Sequence, residues 1–319
     1  MKRLTCEIEI GTNPKYVFKN VAEIQVKSSY QNLTDTAEIT IPRKLSFNRK
    51  PIASDGGVFK RGDKITIRGG YDFEHKVIFS GYLVSIKPGT PIVLQCEDEM
   101  FNLKKGAISK AYPTEINLQT LLREHVLDYP SHSAGVELGK IRIVKETPAQ
   151  LLERLRKEYV IKSFFRDGTL YAGLAFWPEL QQSPAPRFTF NSNIIEHDLT
   201  YQAKEDVKLK VTAVSINPDN SKREVEVGDQ SGEQRTLTFY NKTASQLKEL
   251  AERELNNFRY TGFRGSFTTF GEPFVNHGDK IELLDVNIPD RNGFYIVEEV
   301  ERSFGMSGYR QKIKIATKV

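Results

Sequence analysis

Apolar and polar residues alternate along most of the first hundred positions. Cys6-Ile8-Ile10, Ala22-Ile24-Val26, Ala37-Ile39-Ile41, Ile65-Ile67, Val77-Phe79 and Tyr82-Val84-Ile86 each keep a period of two. That period predicts half-buried antiparallel strands rather than helices. Turn chemistry separates them at 11–14 (GTNP), 53–57 (ASDGG), Gly69-Gly70 and Pro88-Gly89. Six or seven short strands with no helix between them predict a closed or nearly closed barrel, which removes exposed edges.

The pattern changes near Gly106. Asn117 is placed to cap a helix carrying Leu118, Leu121, Leu122 and Val126. A second helix is predicted from 147–150 (TPAQ): a Thr cap, Pro at the first helical position and Gln three residues after the cap. Leu151, Leu152, Leu155 and Tyr159 form its apolar stripe. The stretch 160–176 (VIKSFFRDGTLYAGLAF) then predicts two strands around Asp167-Gly168. A linker follows at 178–187 (PELQQSPAPR), which holds three prolines.

From about 191 strands return: Val207-Leu209-Val211, Val225-Val227, Leu237-Phe239, Ile281-Leu283, Tyr295-Val297 and Ile313-Ile315. One helix interrupts them, opening at 243–246 (TASQ) and running through Leu247, Leu250, Ala251, Leu255 and Phe258.

Two short stretches nearly coincide, 61–67 (RGDKITI) and 277–283 (HGDKIEL). A cell-adhesion reading of Arg61-Gly62-Asp63 fails against the second copy, where His277 replaces the Arg. Each copy is followed by a Gly-aromatic pair (Gly81-Tyr82, Gly293-Phe294), an aliphatic strand and a last strand, 91–98 (PIVLQCED) or 310–318 (RQKIKIATK). A repeat of this size implies a duplicated barrel rather than a solenoid. Gly62, Asp63, Gly278 and Asp279 are the turns that define it. The expected fold is mainly β with an α+β insertion. Two tube-like antiparallel β-barrel domains, 1–105 and 191–319, the second with one helix, flank a small α+β domain at 106–190.

Composition narrows the function classes. With 319 residues, 39% hydrophobic and 27% charged, the chain has room for two or three domains but no run long enough to span a membrane. The first eleven residues alternate charge with apolar side chains, unlike a secretory signal. A net charge of +5, dispersed along the chain, does not by itself argue for nucleic-acid binding. Cys6 and Cys96 fall on apolar strand faces and are expected as free thiols.

No catalytic, cofactor or metal site is expected. The five histidines lack HExxH spacing, and neither GxxxxGK[ST] nor GxSxG occurs. Glu196-His197-Asp198 looks reactive, but neighbours on a strand point to opposite faces. Glu97-Asp98-Glu99 offers paired carboxylates for glycoside hydrolysis, or a solvated strand end. Asp63 and Asp279 read as turn formers, and Trp177 as packing at a domain junction. The loop 42–61 interleaves Arg43, Lys44, Phe47, Arg49, Lys50 and Phe59. It is expected to touch a neighbouring subunit, the alternative being polynucleotide passing nearby.

The last third resembles the C-terminal barrel of phage late-control D-type baseplate hub proteins, which are related to type VI secretion spike hubs. The resemblance rests on Gly271-Glu272-Pro273, Gly278-Asp279, Gly293 with Tyr295, Val297 and Val300, and Gly308-Tyr309, together with the helix at 244–258. The helix-strand-Asp-Gly-strand run at 147–174 is similar to the family's insertion. The family's histidine after Val-x-x-Val is absent; Glu301-Arg302-Ser303 stands there.

The resemblance implies a non-enzymatic structural hub of a phage tail baseplate or of a related contractile injection apparatus, located in the virion tail and assembled in the bacterial host cytoplasm. As a homotrimer it would present six similar modules to a hexameric tail tube protein and three-fold symmetry to a spike. Because the chain ends at Val319, directly after the second barrel, the spike is expected to be a separate protein. DNA or a tape-measure polypeptide would pass through the channel without specific binding. Alternatives are a tail-associated cell-wall polysaccharide hydrolase using Glu97 or Glu99, or a two-barrel module binding peptide or carbohydrate.

Overall fold

The computed structural model describes residues 3–42, 59–87, 89, 91–133, 135–173, 177–181, 183–217, 219 and 221–319, with backbone alone at 46–47 and 50–51. Most of it is strand. Fourteen strands join in one sheet whose main path runs from Ile194–His197 at one end to Tyr16–Phe18 at the other.

The two Gly-Asp-Lys phrases begin the same local structure. Gly62 and Gly278 sit at φ +91° and +83°, the left-handed region that a residue without Cβ enters at little cost. Gly62 N–H donates to the Leu83 carbonyl at 2.7 Å, and Leu83 N–H returns to Asp63 at 2.9 Å. Gly278, Val297 and Asp279 repeat both bonds at 2.7 and 2.9 Å. The Asp63 carboxylate accepts Lys60 N–H at 2.7 Å, and Asp279 accepts Asn276 N–H at 2.8 Å. Asp closes each turn, as its side chain does in Asx-type loops.

The equivalence extends outward through three neighbouring strands. In the first copy Lys64–Tyr71 pairs Glu74–Lys87, which pairs Ile92–Glu97, which pairs Thr36–Ile41. In the second, Lys280–Leu284 pairs Gly293–Gly305, which pairs Gly308–Lys318, which pairs Gly262–Phe270. Even a register irregularity recurs. Pairing steps from Leu83↔Cys96 to Ser85↔Gln95, and from Val297↔Ile315 to Glu299↔Lys314. A bulge at the same place in both copies is a designed feature, not noise.

Three expectations are sharpened by the structure, the first and third of them as corrections. Gly81-Tyr82 does not correspond to Gly293-Phe294: Gly81 lies opposite Ile65 and Tyr295 opposite Ile281, so Gly81 matches Tyr295. The hairpins after the phrase differ in arm length, turning at Asp72-Phe73 in one copy and across 285–292 in the other. Counting residues from the phrase therefore misplaces the glycine. Second, of the closed or nearly closed barrel expected, the structure has the form that is not fully closed: neither copy closes its own hydrogen-bonded ring among the described residues. Glu23–Ser29 pairs outward with Gly293–Gly305 over seven residue pairs, joining both copies in one ladder.

Third, the strands around Leu209, Val225 and Leu237 do not belong to the second barrel. Leu209–Ile216, Lys222–Gly228 and Glu233–Tyr240 form a separate three-stranded sheet under the Ala244–Phe258 helix. Val211, Ala213, Leu237, Leu247 and Ala251 make its own core. This unit occupies a hairpin turn: where the first copy connects two strands through 30–35, the second runs from Thr200–Gln202 to Gly262–Phe270 through 203–261.

The predicted helices form as read. Asn117 Oδ1 accepts Thr120 N–H at 2.8 Å. Thr147 and Gln150, and Thr243 and Gln246, complete reciprocal capping boxes. Lys162–Arg166 and Thr169–Gly173 make the hairpin at Asp167-Gly168. Two strands escape sequence reading: Ile108–Asn117, which lacks clean alternation, and Glu137–Glu146, although its Ile141 and Ile143 alternate with exposed neighbours.

Candidate functional site

The joint between the two copies is where polar side chains converge. Its backbone component is the seven-pair ladder between Glu23–Ser29 and Gly293–Gly305. Side chains reinforce it: Lys27 Nζ meets Glu301 at 2.8 Å, and Ser29 Oγ donates to the Glu298 carbonyl at 3.2 Å. The second copy's last hairpin also reaches across. Phe304 and Tyr309 pack in the first copy's core beside Ile24, Ile67 and Ile78, and the Tyr71 hydroxyl donates to the Tyr309 carbonyl at 3.2 Å.

Beneath the joint lies a cleft of ≈ 300 Å³ lined by Asp35, Asp98, Glu99, Arg166, His277 and Arg302, among others. The insertion enters here through Arg166. Its guanidinium donates to Asp279 Oδ1 at 2.8 Å and to the His277 carbonyl at 3.1 Å. Asp279 is 0% exposed and Arg166 11% exposed, so this ion pair is largely dry. His277 Nε2 lies 3.5 Å from Asp35 Oδ2. Asp35 in turn accepts from Ser28 Oγ at 2.6 Å and from Ser29 N–H at 3.0 Å. Asp98 accepts Asp35 N–H and Met100 N–H, each at 3.0 Å. Burial, with the Asp35 carboxylate alongside, holds the Asp98 carboxyl well above the ordinary aspartate range. Arg302 donates to the Val275 carbonyl and stacks on Phe274 at 4.4 Å.

The repeat-defining residues thus play two parts. Gly62 and Asp63 form a turn beside exposed Arg61 and Lys64, whereas Gly278 and Asp279 are buried in the joint. Sequence reasoning missed Arg166, Asp35 and Arg302, whose partners are remote in the chain. The aromatic pair flanking Gly305-Met306-Ser307-Gly308 was the available signal for the hairpin that crosses the joint.

The other singled-out residues are dispersed. Glu97 and Glu99 face different hollows, Glu97 with Lys104 Nζ at 2.7 Å and Glu99 in the cleft, where burial pushes its carboxyl up. Thr268 Oγ1 donates to Glu196 at 3.1 Å, His197 packs edge-on against Phe190 at 5.0 Å, and Asp198 accepts from Ser266. Trp177 is buried edge-on against Phe164 at 4.7 Å, which leaves no open face for a sugar. Cys6 and Cys96 are free and buried.

In the proposed interface loop, Arg43, Lys44, Phe47, Arg49 and Lys50 lie outside the described side chains. Phe59 is a correction: it is 4% exposed and packs with Tyr16 at 5.7 Å, so it belongs to the core. Among the described residues no three His, Cys, Asp or Glu side chains are grouped to hold a metal ion, and no helix is long and apolar enough to cross a membrane.

No family model and no curated protein matches the chain. Solved structures do. A tail protein from Neisseria meningitidis MC58 matches with a TM-score of 0.71 at 14% identity, covering 98% of this chain and 96% of that one. The 43 kDa tail protein of prophage MuSo2 from Shewanella oneidensis matches with a TM-score of 0.67 at 16% identity, covering 98% of each chain. An Escherichia coli component of the type VI secretion system, described as structurally similar to the T4 phage tail proteins gp27 and gp5, gives 0.60 at 8% identity. It covers 93% of this chain and 73% of its own. At these identities the likeness is one of fold. The chain has the fold of phage tail proteins over nearly its whole length.

Proposed function

We propose that this protein is a structural hub of a phage tail baseplate or of a related contractile injection apparatus, with no catalytic role. Three copies would form a ring of six similar modules around a channel. One face would meet a six-fold tail tube protein and the other a three-fold spike carried by a separate chain. DNA or a tape-measure polypeptide would traverse the bore without dedicated phosphate sites, because tight binding there would oppose ejection. The protein would be assembled in the bacterial host cytoplasm and end in the virion tail.

One observation carries this reading. A single chain holds two copies of one strand meander, alike to the turn hydrogen bonds and the bulge, joined in a ladder that does not close among the described residues. Units related in this way build closed rings when head-to-tail contact repeats. Electron microscopy of the protein with its six-fold tube subunit tests it. A ring of three chains seated on the tube is expected; only monomers beside bare tubes would end the proposal.

A further inference from the structure

The internal joint is a template for a second, intermolecular one. In the first copy, Leu83, Ser85, Ile86 and Lys87 stand where Val297, Glu299, Val300 and Glu301 stand in the second, because both bulges fix the same register. The last three of the second set use their outer edge to pair Ser29, Ser28 and Lys27. Their counterparts Ser85, Ile86 and Lys87 pair only with Ile92–Glu97 among the described residues, so their outer edge is open. The partner edge also has a counterpart. Lys27 lies opposite Thr36 and Thr200 opposite Arg264, and register through the neighbouring strands makes Thr36 and Arg264 equivalent. Thr200–Gln202 is therefore the second copy's version of Lys27, Ser28 and Ser29, and its outer edge has no strand partner among the described residues.

Resting on the assembly reading above, we infer that Ser85, Ile86 and Lys87 of one chain pair antiparallel with Gln202, Tyr201 and Thr200 of a second copy of this chain. Lys87 then lies opposite Thr200, as Glu301 lies opposite Lys27 inside the chain. The occupant is set by the chain itself: the internal joint already displays the same edge against the same counterpart.

This joint is weaker than its template for reasons visible in the sequence. The second copy's hairpin continues through 302–305 before turning, which places Phe304 and Tyr309 in the neighbouring core. The first copy's strand ends at Lys87, followed by Pro88-Gly89-Thr90-Pro91, and proline adds no ladder donor. The Lys27–Glu301 ion pair becomes Thr200 beside Lys87, which has no opposite charge. Three residue pairs replace seven, with no aromatic insertion. The chain therefore associates weakly alone and closes its ring against a template.

Engineered cysteines test the register. Opposed antiparallel residues bring Cα atoms to about 4.5–5.5 Å, within the span of a disulfide. The native thiols stay out of the chemistry: burial pushes Cys6 up to about 11 and Cys96 up to about 12. Concentrated Lys87→Cys/Thr200→Cys protein, oxidised mildly, should give covalent species of up to three chains. An equal mixture of the two single variants should give two-chain species only, and each variant alone neither. Lys87→Cys with Glu196→Cys, out of register by the same template, should not cross-link. Trimers seen by native mass spectrometry without the 87–200 disulfide would overturn this register and leave the assembly reading standing. Absence of both cross-link and association at the highest soluble concentration overturns the inference and weighs against that reading as well.

Discussion

The two Gly-Asp-Lys turns share a backbone and differ in surroundings. At the first, Asp63 satisfies its own turn beside exposed Arg61 and Lys64. At the second, the same Asp position is sealed under Arg166 and next to His277 and the Arg302 layer. The backbone follows from local chemistry, a left-handed glycine and an Asx closure, so it survives copying. The side-chain network follows from which surface the turn happens to face. Both copies hold the same turn, and in the joint one of them clasps three parts of the chain.

That contrast can be broken experimentally, most severely at the paired aspartates. Asp279→Ala leaves the Arg166 guanidinium buried without its carboxylate and should cost about 3–5 kcal/mol in urea unfolding. Asp63→Ala removes only a turn closure and should cost about 1 kcal/mol; equal losses would contradict the assignment of the joint. The glycines should behave alike instead. A Cβ at Gly62 or Gly278 meets nothing closer than 3.9 or 3.6 Å, so Ala at either site pays only for the left-handed backbone, about 1–2 kcal/mol.

The joint should also feel pH where the first turn does not. Asp98 has its folded pKa raised by burial and by Asp35. Its contribution is therefore fully present below the ordinary aspartate range and is lost as pH rises through the raised value. Wild type should lose stability with rising pH relative to Asp98→Asn. Hydrogen exchange should show the loss at 277–280 and not at 61–64. The smallest effect belongs to the Lys27–Glu301 pair, where Lys27 is 61% exposed. A double-mutant cycle should return no more than about 1 kcal/mol.

Local signals were legible throughout. The caps at Asn117, Thr147 and Thr243 and the hairpin at Asp167-Gly168 depend on neighbours within four residues, so spacing alone reveals them. The repeat was visible as a phrase, but its extent was hidden. Aligned positions such as Ile92 and Gln311 differ in polarity although both are buried, and unequal hairpin arms displace the glycines. The joint itself was illegible, because Arg166 and Asp279 are separated by 113 residues and no periodicity links them. The independent core around Val211 and Leu247 was misassigned for the opposite reason: its alternation is indistinguishable from that of the sheet it interrupts.

The placement of that extra sheet-and-helix unit has a consequence for how such a chain can diversify. It hangs from the ends of two adjacent ladder strands, Thr200–Gln202 and Gly262–Phe270, at a position the first copy spans with six residues. A graft at this socket leaves the register of the scaffold untouched. Whatever is exchanged there, the ladder on either side keeps its gauge.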